Sequence, residues 1–216
     1  MELYLYALLT FFYVVLWIVV IRQAQWIGWG SLLNVILLVI VGLIYDNGIL
    51  TVGRFIGESS WLEKWNELRY WLHAFFTPLL VLYSYAVLKR INVHFAQHSL
   101  AKLATFLITA CLILAEIIGI LTIDLEPVWE YGILSYQETE DRLPIMVIAI
   151  SIILLLTSII VWRKTGFYLF FVGCLIISVT SIVQLPIPTK AMTNIGEAIL
   201  LLSLVLTNYY LFRTSD

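Results

Sequence analysis

A chain of 216 residues that is 62% hydrophobic and only 12% charged, with a mean hydropathy of +0.99, lies far from the soluble-domain balance of about half apolar and a quarter charged residues. A water-soluble fold has too little interior to hide that much apolar side chain, so the composition excludes a soluble globular domain. The net charge of −2, with Lys and Arg scattered singly or in pairs, gives no basic face for a nucleic acid.

Apolar runs of roughly 17 to 25 residues, long enough to cross about 30 Å of hydrocarbon at about 1.5 Å per residue, recur along the chain. They predict an all-α fold: a polytopic membrane protein built as one seven-transmembrane-helix bundle over residues 1–216, with short loops. The spans fall near 3–21, 30–47, 68–88, 102–122, 144–162, 166–184 and 191–212. The first, "MELYLYALLTFFYVVLWIVVIRQ", lacks a basic leader and a small-residue cleavage site, and reads as an uncleaved helix. The second ends at Asp46 and Asn47, or continues to about Ile56, because "DNGILTVGRFIG" remains apolar. Gly53 and Gly57 have GxxxG spacing, which suits close helix packing better than phosphate binding.

The third span carries Arg69 and His73 at i and i+4, on one face with Trp65 and Thr77, and Pro78 is expected to open or kink it. His94 and His98 follow in a basic loop, where a solvated face explains their spacing better than a ligand pair. The fourth span contains Glu116, which has few polar neighbours in sequence, whereas the fifth contains nothing ionisable. Gln184 closes the sixth, and Asn194 and Glu197, at i and i+3, open the seventh. Cys111 and Cys174 lie in apolar segments and read as small buried hydrophobes.

With seven spans, one side holds Arg22, Lys89, Arg90, Lys102, Arg163, Lys164 and Arg213, and the other holds Arg54, Lys64, Arg69, Arg142 and Lys190. The bias predicts an outside N-terminus and a cytoplasmic C-terminus in a multi-pass cell-membrane protein. The two longest loops, 48–67 and the acidic 123–143, then face outward. Trp61, Trp65, Trp71, Trp129, Tyr131 and Tyr136 lie in or beside them, as an interfacial belt or as a lid over a pocket.

Ionisable groups in spans are costly and usually face a bundle interior or a watery cavity. Alternating span direction brings Asp46, Asn47, Arg69, His73, Glu116, Gln184, Asn194 and Glu197 to one layer in the outer half of the bundle. His73, Glu116, Asp46 and Glu197 are the expected acids, bases or metal ligands. Arg69 would hold an anionic head group, with Asn47, Asn194, Gln184 and Trp65 as further substrate contacts. One imidazole among carboxylates is poor in nitrogen for a zinc hydrolase and no HExxH occurs, so no metal site is assigned and the cofactor is left open. The last span has no lysine at mid-depth to hold retinal, no internal repeat is visible, and no serine or cysteine falls near the layer with a clear partner.

The expectation is a membrane-embedded enzyme using acid/base or metal-assisted chemistry on a lipid or isoprenoid, its partner being a membrane lipid or other apolar small molecule. The alternatives are a proton-coupled small-molecule transporter and a non-catalytic sensor or assembly subunit.

Overall fold

The computed structural model describes residues 2–139, 144–182 and 191–213, and helices dominate them. The order is α1 (Glu2–Ile27), α2 (Ile36–Ile56) entered through a 3-10 turn at Leu32–Val35, α3 (Ser60–Phe76), α4 (Leu79–Arg90) and α5 (Ser99–Ile120). A hairpin of β1 (Leu125–Glu130) and β2 (Ile133–Glu138) follows, and then α6 (Ile145–Thr165), α7 (Leu169–Ile182) and α8 (Met192–Arg213). Taking Ser60–Arg90 as one unit, 6 of the described helical segments are long and apolar enough to cross a membrane. The remaining helix, α7, has 14 residues and spans about 21 Å by helical rise.

One boundary that the sequence leaves open falls at its later alternative, and another is corrected. The second span does not end at residue 47: α2 runs to Ile56, because Ile49, Leu50 and Val52 continue its apolar surface and two of them are buried. It stops at Gly57, whose φ of 76° only glycine adopts freely and whose N–H bonds the Gly53 carbonyl at 3.1 Å. Most of the expected loop 48–67 is therefore helix. Ser59 caps α3 by accepting a hydrogen bond from the Leu62 N–H at 3.3 Å, so the third span begins well before residue 68.

Proline does interrupt that span. Thr77 N–H still reaches four residues back to the His73 carbonyl, at 3.1 Å, but Pro78 has no N–H to offer Ala74. Leu80 and Val81 then bond only three residues back, to Thr77 and Pro78, at 3.1 and 3.0 Å. The span is thus two helices joined by a tightened turn.

The acidic segment 123–143 departs from the expected loop and from a purely helical fold. Leu125–Glu130 pairs antiparallel with Ile133–Glu138 in the register Glu130↔Ile133 to Leu125↔Glu138. Tyr131 and Gly132 turn the hairpin with φ of 48° and 81°, the left-handed pair that matches strand twist. Leu134 and Tyr136 bury against Ile49 and Leu62, forming a small apolar core beneath the hairpin.

The main core is lined by Tyr13, Ile36, Ile40, Tyr83, Phe170 and Leu204, all fully buried. Polar side chains inside it bind backbone: the Tyr83 hydroxyl reaches the Leu204 carbonyl at 2.9 Å, and Gln23 Nε2 donates to the Val205 carbonyl at 3.1 Å. Gly173 and Gly196 bring α7 and α8 close together, since a Cβ there would strike Ser203 and Thr180 respectively. Cys174 is buried as expected. Cys111 is exposed, because α5 packs at the edge of the bundle and turns that face outward.

Gly53 fixes the hairpin to α2, since any Cβ on it would collide with the main-chain carbonyl of Leu134. Gly53→Ala should cost about 1–3 kcal/mol and open the hairpin to limited proteolysis. Gly48→Ala, where nothing lies within 4 Å, should leave stability unchanged or raise it by up to about 1 kcal/mol, as thermal unfolding in detergent will measure.

Candidate functional site

An unpaired charge within hydrocarbon costs several kcal/mol, so the first question for Asp46 and Arg69 is what compensates them. They compensate each other. Asp46 lies at the middle of α2 and Arg69 in the second half of α3, and Arg69 Nε donates to Asp46 Oδ1 at 2.7 Å. Arg69 Nη1 donates to Asn66 Oδ1 at 2.8 Å, and Asn66 Nδ2 is held in turn by the Leu62 carbonyl at 2.7 Å. The two charged side chains keep 17% and 25% exposure, which is directed at a cavity of about 580 Å³.

That cavity runs through the interior of the bundle. Its polar wall comprises Tyr6 of α1, Asp46 of α2, Arg69, Tyr70 and His73 of α3, and Thr77 at the break. Thr193, Asn194 and Glu197 of α8 continue it. Leu43, Leu50, Phe76, Leu80, Ile150, Leu154, Ile177 and Leu200 supply an apolar wall. Ser135, Gln137 and Glu138 of β2 close one end, so the hairpin covers the site, and the Glu138 N–H donates to the Tyr70 hydroxyl at 3.2 Å to tie it to α3.

His73 follows Arg69 by one turn and faces the same cavity. Its Nδ1 is 3.1 Å from Thr77 Oγ1. Glu197 enters from α8 and shares the electrostatic surroundings of Asp46 and Arg69. Among the described residues nothing donates a hydrogen bond to its carboxyl, which sets it apart from Asp46. Asn194 Nδ2 reaches Asn47 Oδ1 at 3.4 Å, and its main-chain carbonyl accepts from the Tyr13 hydroxyl at 3.2 Å.

The expected layer is thus gathered in part. Asp46, Arg69, His73, Asn194 and Glu197 meet on one cavity. Asn47 sits behind them, buried, with Nδ2 on the Leu43 carbonyl at 2.9 Å, and joins α2 to α8 rather than lining the cavity. Glu116 does not reach the cavity: α5 packs at the bundle edge, and the charged neighbour of Glu116 is Glu138 of the hairpin. Trp65 is exposed outside it, where its carbonyl accepts from the Tyr45 hydroxyl at 3.0 Å. Gln184 lies outside the described residues.

Sequence reasoning found no serine or cysteine near the layer with a clear partner, and the structure adds several that line the cavity. Ser135, Ser151, Cys174, Ser178 and Ser181 all line the cavity. The signal was present on α7, where 174, 178 and 181 repeat at helical spacing and form one small-polar stripe. Ser178 Oγ is turned back onto the Cys174 carbonyl at 2.8 Å. Among the described residues no three His, Cys, Asp or Glu side chains cluster as ligands to one ion, so Asp46, His73 and Glu197 share a cavity without forming a ligand set.

No family model matches the chain, and no curated protein matches it.

Removing one partner of the Asp46–Arg69 pair leaves the other charge in a poor environment. Asp46→Asn and Arg69→Gln should each cost about 2–3 kcal/mol, somewhat less than for a fully buried pair because both retain some exposure. The double variant should recover about 1–2 kcal/mol of the summed loss, as a double-mutant cycle of unfolding in detergent will reveal.

Proposed function

We propose that the chain is a membrane-embedded enzyme that performs acid/base chemistry on an amphiphilic lipid or isoprenoid in the cavity between α2, α3 and α8. The observation that carries this reading is the pairing of two unlike reactive groups in one cavity: an imidazole, His73, and a carboxyl with no donor among the described residues, Glu197. A volume of about 580 Å³, walled by polar groups on one side and aliphatic groups on the other, suits a small amphiphile.

His73 and Glu197 would exchange protons with the substrate, one as base and one as acid. Thr77 would orient the His73 ring. The Asp46–Arg69 pair would act as a fixed dipole that positions the reacting groups, since two of the three guanidinium nitrogens are already committed to Asp46 and Asn66. This weakens the expected role of Arg69 as an anchor for an anionic head group and favours a substrate whose polar part is neutral, such as an alcohol, ether or ester. In the orientation given by the loop charges, N-terminus outside and C-terminus cytoplasmic in the cell membrane, the cavity opens in the outer half of the bilayer. A seventh crossing would require α7 to span with the residues that follow it.

A proton-coupled carrier is the second reading, favoured by one observation. Among the described residues, Gln23 Oε1, Ser84 Oγ and Asn208 Nδ2 are buried without hydrogen-bond partners, beyond the cavity along the bundle. Such groups commonly hold ordered water and could extend a proton path.

Comparative lipid profiling of cells that make the wild-type chain, His73→Ala or Glu197→Gln tests the enzyme. Wild type should shift the abundance of a neutral-headed lipid or isoprenoid, and each variant should reduce the rate of that change by about 10²–10⁴-fold at equal membrane levels. Glu116→Gln should retain it. Identical profiles for wild type and both variants would remove the enzyme reading, and substrate-driven proton uptake in proteoliposomes would then favour the carrier.

A further inference from the structure

A second pocket lies at the opposite end of the bundle. It occupies about 380 Å³ between the end of α1, the turn at residues 31–33, the end of α4, the start of α5 and the end of α8. Three cations line it, Lys89, Arg90 and Lys102, and among the described residues no carboxylate does. Ile27, Leu32, Leu33 and Ala86 make the remaining wall largely apolar, and the Ser31 hydroxyl faces the same space.

Cations at a helix C-terminus ordinarily have a simpler task, which is to satisfy the last carbonyls and the negative end of the helix dipole. Here other side chains perform part of it. Gln97 Nε2 donates to the Lys89 carbonyl at 2.8 Å, and Lys164 Nζ donates to the Asn92 carbonyl at 2.6 Å. The ammonium of Lys89 and the guanidinium of Arg90 are therefore not committed to the end of α4. Arg90 instead lies over the ring of Phe212 with its central carbon 4.2 Å from the centroid, and Lys89 Nζ is 6.0 Å from the centroid of Tyr85. A stacked guanidinium keeps its N–H edges available to an oxyanion. Among the described residues, none of the three cations is in an ion pair with a carboxylate.

The surrounding charge reinforces this. Arg22, Arg163, Lys164 and Arg213 belong to the same end of the bundle, and none of the described Asp or Glu residues does. The described Asp and Glu residues belong to the segments toward the opposite end or to the cavity layer. An anion approaching from water or along the membrane surface thus meets a rim that is positive among the described residues.

We propose that this pocket binds the phosphate of an anionic phospholipid. The phosphate would sit among Lys89, Arg90, Lys102 and the Ser31 hydroxyl, and the apolar side at Ile27, Leu32 and Leu33 would receive the glycerol and the first acyl carbons. The apolar wall favours a lipid over free phosphate, which has nothing to place against it. A basic pocket between helices on the positive side of a membrane protein suits such a head group. The site is separate from the acid/base cavity and does not depend on the function proposed for it.

The test uses the full chain in a neutral detergent, titrated with phosphatidylglycerol, phosphatidylcholine of the same acyl chains, or inorganic phosphate, with the unfolding temperature as readout. Phosphatidylglycerol should raise it and phosphatidylcholine should not. Lys102→Gln, an exposed change on the first turn of α5, should weaken the phosphatidylglycerol effect by roughly tenfold in midpoint concentration, and Lys89→Gln should do the same. Arg163→Gln, which removes a charge at the same end but outside the pocket, should not. Equal stabilisation by inorganic phosphate that is lost in Lys102→Gln would keep the phosphate site but assign it to a free anion. Equal effects of both lipids, no effect of any of the three ligands, or an equal loss in Arg163→Gln, would overturn the proposal.

Discussion

The ion pair between Asp46 and Arg69 is the constraint around which this bundle is arranged. In a low-dielectric interior neither charge is tolerable alone, so α2 and α3 must pack in the one register that brings Nε to within 2.7 Å of Oδ1. That register places Asn66 under the guanidinium and His73 one turn beyond it. It also brings the C-terminal half of α2 beside the hairpin, where Gly53 admits the Leu134 carbonyl. A specificity device of this kind adds little net stability. It selects one helix pairing among the several that an almost uniformly apolar surface would allow.

The elements that resist sequence reading do so for physical reasons. Asp46 and Asn47 look like the end of a helix because polar residues are costly at mid-membrane, yet each is compensated, one by Arg69 and the other by the Leu43 carbonyl and Asn194. The hairpin is hidden because its strands are short and lie in an acidic stretch, and its burial is created by Ile49 and Leu62, which are distant in sequence. Glu116 shows the opposite failure. Its depth along α5 was legible, but the direction it faces depends on where α5 packs, which hydropathy does not encode. By contrast, Arg69, His73, Asn194 and Glu197 were legible because i,i+3 and i,i+4 spacing fixes a shared face wherever the helix lies.

The two ends of the molecule are chemically distinct. One holds the carboxylates, the hairpin and the mouth of the cavity, whereas the other gathers cations around an aromatic floor made by Tyr85 and Phe212. Among the described residues, the two pockets share no lining residue.

The break at Pro78 gives the third span an asymmetry. Below it, α4 is buried along most of its length and its Tyr83 is anchored to α8. Above it, α3 buries only Leu62, Asn66 and Ala74 and carries the groups that face the cavity. The break, bridged by three-residue hydrogen bonds from Leu80 and Val81, lets one crossing give its upper helix to the cavity wall and its lower helix to the core.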